Sequence, residues 1–131
     1  MDGDHGGEAH RILISHARAY LERGGWRIQD PRFYRVMLSL KVPAIPDIVA
    51  SKDGSYRTTW GKKKSVTESI VVEVETNPTT ESVRKKHKQY TENLVGHQLY
   101  ILDATKIPGW KDGWENITIK AINDWLEGCL P

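Results

Sequence analysis

Three carboxylates set in apolar surroundings are the residues of this chain best placed to do chemistry. Asp47 stands in Ile45-Pro46-Asp47-Ile48-Val49, and Glu73 and Glu75 stand in Ile70-Val71-Val72-Glu73-Val74-Glu75. Side chains alternate across a strand, so Glu73 and Glu75 leave the same face. Burying charge in an apolar strand is costly, and acids placed there call for a cation that neutralises them. Three clustered acidic oxygens suit Mg²⁺ or Mn²⁺. Alternating valine and glutamate is also the pattern of an amphipathic edge strand with its acids in water, and an acid after proline is also a common turn residue. Ile70-Val71-Val72 argues instead for a strand covered on both faces.

Charge is spread unevenly around these acids. The net charge is only +2, yet residues 52–64 carry Lys52, Arg57, Lys62, Lys63 and Lys64 against Asp53 alone, with Trp60 among them. Residues 81–92 add Arg84, Lys85, Lys86 and Lys88 against Glu81 and Glu92. Both segments flank the acidic strand, so a metal-binding cluster would sit beside a basic surface. Phosphodiester chemistry needs that pairing, because lysines and arginines hold the polyanion while metal-bound oxygens activate the attack. A lysine run by itself is the ordinary composition of a solvated loop. Trp60 and Arg57 add an aromatic and a cation able to stack on or clamp nucleic acid.

A length of 131 residues fits one domain, expected to span 1–131 with 1–9 as a loose leader. The lone Cys129 excludes an internal disulfide framework and a cysteine-built zinc site. No apolar stretch approaches the ~20 residues of a membrane-spanning helix, and the first residues have no signal-peptide pattern. A cytoplasmic protein with no membrane association is the expectation.

The elements that must position the acids follow from period and punctuation. Ile12, Leu13, Ala17, Tyr20 and Leu21 predict a helix over 10–23, ended by Gly24-Gly25. Asp30-Pro31 predicts a turn, and 33–42 a strand. Pro46 sets Asp47 at the opening of a short apolar strand ending near Ala50. Residues 51–65 read as a polar hairpin or loop, and 69–76 as a central strand. Asn77-Pro78-Thr79-Thr80-Glu81 has the composition of a helix start, and Gly96 stops a helix that runs to about Leu94. Residues 98–102 predict another strand, and 117–126 a short strand running into a helix. Trp110, Trp114 and Trp125 are read as packing residues. His10, His16, His87 and His97 lack tight metal-ligand spacing and are read mostly as surface or helix residues.

In these motifs and this order of elements the chain resembles the PD-(D/E)XK nucleases, in particular their Holliday-junction resolvase and type II restriction enzyme branches. Pro46-Asp47 looks like the first half of the family motif and Glu73-Val74-Glu75 like the second, with Glu75 where lysine is usual. The resemblance implies an α/β, restriction-endonuclease-like core: a central mixed β-sheet flanked by helices, in the order α-β-β-β-α-β, then a short strand and helix. It implies a Mg²⁺- or Mn²⁺-dependent endonuclease acting on DNA. Asp47 and Glu73, with a main-chain carbonyl near Val74, would hold the metal; Glu75 would hold a second one or act as a base. The missing lysine would have migrated, with Lys52, Lys85, Lys86 and Lys88 as candidates and Lys86 and Lys88 assigned to catalysis. Lys52, Arg57, Trp60, Lys62, Lys63, Lys64, Arg84 and Lys85 would bind nucleic acid. Glu8 and His16 on the first helix and Gln89 on the second are further candidates. A homodimer fits the resolvase branch, because a junction is symmetric. So small a domain has little room for a separate recognition module, so structure-selective or weakly sequence-specific cutting is expected. The Glu-x-Glu motif also permits a catalytically inactive nucleic-acid-binding module, and the tryptophan-rich C-terminal third permits a protein-interaction domain.

Overall fold

The computed structural model describes residues 7–39 and 42–131. The first helix, α1 (Glu8–Arg23), buries Leu13, Ala17 and Leu21, a stripe at four-residue spacing. Glu8 in its first turn and Arg23 in its last match the helix dipole. It stops at Gly24, whose N–H bonds back to Tyr20 and Leu21. Gly25 follows at φ 91°, a left-handed conformation that glycine adopts without steric cost.

Six strands follow among the described residues: β1 (Arg27–Gln29), β2 (Val36–Ser39), β3 (Val42–Ala44), β4 (Ile48–Arg57), β5 (Lys63–Glu75) and β6 (Gln98–Asp103). The main sheet has the order β1-β4-β5-β6, while β2 and β3 pair only with each other. β1 and β5 flank β4 antiparallel, and β6 lies parallel to β5. A parallel neighbour needs a crossover, supplied here by α2 (Glu81–Asn93). Thr80 caps that helix by accepting from the Val83 N–H. The last helix, α3 (Ile119–Cys129), packs against α1.

β5 separates two environments. Ile70, Val72 and Val74 join Leu13, Leu21 and Leu126 in the main core. Each such aliphatic side chain contributes ~1.5–3 kcal/mol when fully buried. By alternation the opposite face carries Val71, Glu73 and Glu75, where burial of the acids is costly. The apolar face therefore stabilises a strand whose other face is loaded with charge.

Several expectations are corrected. The first helix begins at Glu8, so residues 8–9 are no leader; residues 1–6 lie outside the described residues. Residues 33–42 do not form one strand. Asp30 accepts from the Arg32 N–H at 3.0 Å and starts a 3₁₀ turn over Pro31–Tyr34, and β2 and β3 then pair as a separate hairpin; residues 40 and 41 lie outside the described residues. β1, only three residues long, was not anticipated. No strand forms at Ile117, because Thr118 accepts from the Ala121 N–H and caps α3, with a 3₁₀ turn over Trp114–Asn116 before it. The sequence order α-β-β-β-α-β thus gains strands before α2 and loses the terminal one. No helix among the described residues is long and apolar enough to cross a membrane.

Candidate metal centre and active site

Register brings the first acid to the second. Ile48 lies opposite Val72, so Asp47, one residue earlier, comes level with Glu73. The Asp47 N–H donates to Glu73 Oε2 at 2.6 Å. In return Asp47 Oδ2 accepts from the Val74 N–H at 2.8 Å. These two bonds stitch the start of β4 to the end of β5.

α1 closes this point from the core side. His10 Nε2 lies 3.1 Å from Asp47 Oδ2 and 3.0 Å from the Val74 carbonyl oxygen. A carbonyl can only accept, so Nε2 carries the hydrogen and donates to both oxygens. The Val74 carbonyl, expected to face a cation, is therefore engaged by His10.

From the other side α2 delivers a cation and a second imidazole. Lys86 Nζ lies 3.2 Å from Glu73 Oε1 and 3.1 Å from Glu75 Oε2. His87 Nε2 donates to Glu75 Oε2 at 2.6 Å. The two glutamates are only 1% and 2% exposed, so this network operates away from bulk water, where charge interactions are strong and unpaired charge is costly.

The proton affinities follow from that environment. Burial, reinforced by the Asp47 charge, pushes Glu73 up to about 8 against the pull of Lys86. Glu75 is also pushed up by burial, but the His87 hydrogen bond and Lys86 outweigh it and hold the carboxyl below its ordinary value. Burial would lower Lys86, yet the charges of Glu73 and Glu75 keep it raised. His10 is likewise depressed by burial and raised overall by Asp47. Tyr90, on α2, is raised by burial and by the charges of Glu73, Asp47 and Glu75, so it stays a neutral phenol. Its buried hydroxyl has no hydrogen-bond partner among the described residues.

Glu73, Glu75 and His87 each offer a ligand atom, and these atoms lie within 4.8 Å of one another. Carboxylate oxygens suit Mg²⁺ and Mn²⁺, and an added imidazole favours the transition metal. Asp47 borders this group through its bond to Glu73.

Other candidates lie elsewhere. Lys88 is exposed and sits 3.9 Å from Glu92. Lys52 donates to the Gly24 carbonyl and lies over the Trp26 ring. Gln89 accepts from Asn93 down the helix. Arg84, Lys85 and Glu8 are exposed. His16 lines an apolar cavity with Ile12, Trp110 and Trp114. Arg57, Trp60, Lys62, Lys63 and Lys64 are exposed on the far part of the β4–β5 hairpin.

His10 and His87 were not singled out from the sequence. Each had a signal: His10 precedes Leu13, Ala17 and Leu21 in one helical stripe, and His87 lies between Val83 and Tyr90, the buried apolar residues of α2. A polar residue inside a buried stripe is a candidate for a buried partner. Comparison of the chain with protein-family models, with curated proteins and with solved structures gives no match.

Proposed function

We propose that this protein is a Mg²⁺- or Mn²⁺-dependent nuclease that hydrolyses phosphodiester bonds of DNA, on a restriction-endonuclease-like sheet. One observation carries the reading: Glu73 and Glu75 are buried on one face of β5, Asp47 is level with Glu73 and bonded to it, and a single lysine from α2 reaches both glutamates. The antiparallel β4–β5 pair, crossover helix and parallel β6 support the fold part of the proposal.

The donor set fits a hard divalent cation. Glu73 and Glu75, with Asp47 bonded to Glu73, meet one lysine ammonium there, and burial, with the Asp47 charge added to it, pushes Glu73 up against the pull of Lys86. Asp47, Glu73 and Glu75 would hold the ion, and His87, whose Nε2–H donates to Glu75, would orient that carboxylate. When bound, the metal supplies Lewis-acid activation of phosphate and water. Glu75, kept ionised by His87 and Lys86, accepts a proton from the attacking water. The Lys86 ammonium offsets charge that develops on the phosphoryl oxygens. His10 holds Asp47 against β5 and so acts as a positioning residue.

The same lysine favours a second reading. Lys86 already bridges both glutamates, and an internally neutralised pocket suits a nuclease-like module that binds nucleic acid without cutting it. Cleavage assays on plasmid, linear, single-stranded and four-way-junction DNA, with Mg²⁺ and Mn²⁺ and beside Glu73→Ala, separate the two. Metal-dependent cutting lost in the variant supports hydrolysis. Salt-sensitive binding with no cutting in either metal supports the second reading.

A further inference from the structure

The β4–β5 hairpin continues past the main sheet. β1 pairs with β4 only as far as Ser51, and β6 pairs with β5 only from Ile70 onward. Beyond those points the two strands pair with each other, and all residues from 59 to 68 are exposed. Between Gly54 and Val66 the ribbon carries Arg57, Lys62, Lys63 and Lys64 and no acid. Asp53, at its root, is held by Arg27 and Thr67.

The register sorts these side chains. Ser55 faces Ser65 and Arg57 faces Lys63 across the ladder, giving one surface of hydroxyls and cations. Hydroxyls, lysines and arginines are the groups that take sugar-phosphate oxygens. At the tip Trp60 is 92% exposed. The turn that presents it is tightly built: the Thr58 N–H donates to the Lys62 carbonyl at 2.8 Å, the Gly61 N–H to the Thr58 carbonyl at 2.9 Å, and Arg57 to the Gly61 carbonyl at 3.1 Å. An exposed indole at the tip of a hydrogen-bonded turn, with Arg57, Lys62, Lys63 and Lys64 close by in the chain, is suited to stacking on a base. Lys63 and Glu73 stand in the same strand, and at ~3.3 Å per residue they are about 33 Å apart. That is close to one turn of B-form DNA, about 34 Å.

We propose that the β4–β5 hairpin is a nucleic-acid-binding ribbon. Its Ser55, Arg57, Lys63 and Ser65 face takes the sugar-phosphate backbone, and Trp60 stacks on an unpaired base. The substrate is then DNA with a fork or branch about one helical turn from the bond that is cut. The inference rests on the reading of the acidic pocket for its polyanionic substrate. An anionic membrane is the lesser fit, because Thr58-Thr59-Trp60-Gly61 offers one large apolar side chain where stable insertion needs a broader apolar face.

The test uses the full chain in EDTA, where binding is read without cutting. Fluorescence anisotropy compares a forked duplex bearing an unpaired arm with a fully paired duplex of the same length, over a series of salt concentrations. The proteins are wild type, Trp60→Ala, Trp60→Phe and the combined Arg57→Ala, Lys63→Ala variant. Wild type binds the fork more tightly. Trp60→Ala weakens fork binding by about tenfold and paired-duplex binding far less, and Trp60→Phe restores most of the loss. The double variant weakens both substrates and lowers the salt slope by about 2. The proposal is overturned if wild type binds neither DNA, if Trp60→Ala matches wild type or loses equally on both, or if Trp60-dependent binding appears only with phosphatidylserine vesicles. Trp60-dependent fork binding in a protein that cuts nothing with Mn²⁺ would uphold the hairpin and remove the hydrolytic reading. Cutting in which Trp60→Ala binds and cleaves forks like wild type would do the reverse.

Discussion

The Asp47 N–H donates to Glu73 Oε2 at 2.6 Å, so the acid near the end of β5 fixes the backbone that carries the acid before β4. Glu73 therefore has two properties: a charge that burial disfavours, and an acceptor oxygen that the fold uses. A glutamine would keep the second and remove the first.

From this follows a pH prediction. Unfolded, Glu73 titrates near 4.5; in the fold burial raises it to about 8. Between those values the folded protein holds a proton that the unfolded chain has released. The associated stability is fully present below about 4.5 and is lost as pH rises through about 8. His10, raised by Asp47 against its burial, acts in the same direction above 6.5. Glu75, held low, acts oppositely and loses its contribution only on acidification below 4.5. Urea denaturation in EDTA should show stability falling at up to ~1.4 kcal/mol per pH unit between pH 5 and 8. Glu73→Gln should flatten that slope.

Replacing Lys86 tests the other side of the balance. Lys86→Met leaves the buried, ionised Glu75 without its ammonium partner, and breaking a buried ion pair from one side costs about 3–5 kcal/mol. The metal-free variant should melt well below wild type at pH 8. Millimolar Mn²⁺ should recover more stability in Lys86→Met than in wild type, because the ion replaces the lost positive charge. A variant as stable as wild type in EDTA would show that the ammonium does not neutralise the acids.

Tyr90→Phe should have the opposite sign. The phenol hydroxyl is buried and unpartnered among the described residues, and an unsatisfied buried donor costs about 1–3 kcal/mol. Its removal should raise the urea midpoint of the metal-free protein by the equivalent of ~1 kcal/mol. A fall would mean that the hydroxyl is satisfied in solution.

Local chemistry was the legible part of this chain. Alternation placed Glu73 and Glu75 on one face, and the Gly24-Gly25 and Thr80-Glu81 signals bounded α1 and α2. Long-range placement was less accessible. Asp47 meets Glu73 through a register set across the whole β4–β5 hairpin, and the choice of Lys86 over Lys88 depends on which face of α2 meets β5. His10 was hidden because its partners, Asp47 and the Val74 carbonyl, are distant in sequence. β1 is too short to show a period, and a single cap at Thr118 turned Ile117 from an expected strand into the approach to α3.

The single-turnover rate of DNA cleavage across a Mn²⁺ titration, for wild type and Glu73→Gln on the best-cut substrate, tests the central claim most directly. The amide oxygen introduced by the substitution can still accept from the Asp47 N–H, while the amide nitrogen cannot accept from Lys86, so the variant removes the charge together with its ammonium contact. The account predicts metal-dependent cutting by wild type and a loss on the order of 10³-fold in the variant. Equal rates in the two proteins would contradict it.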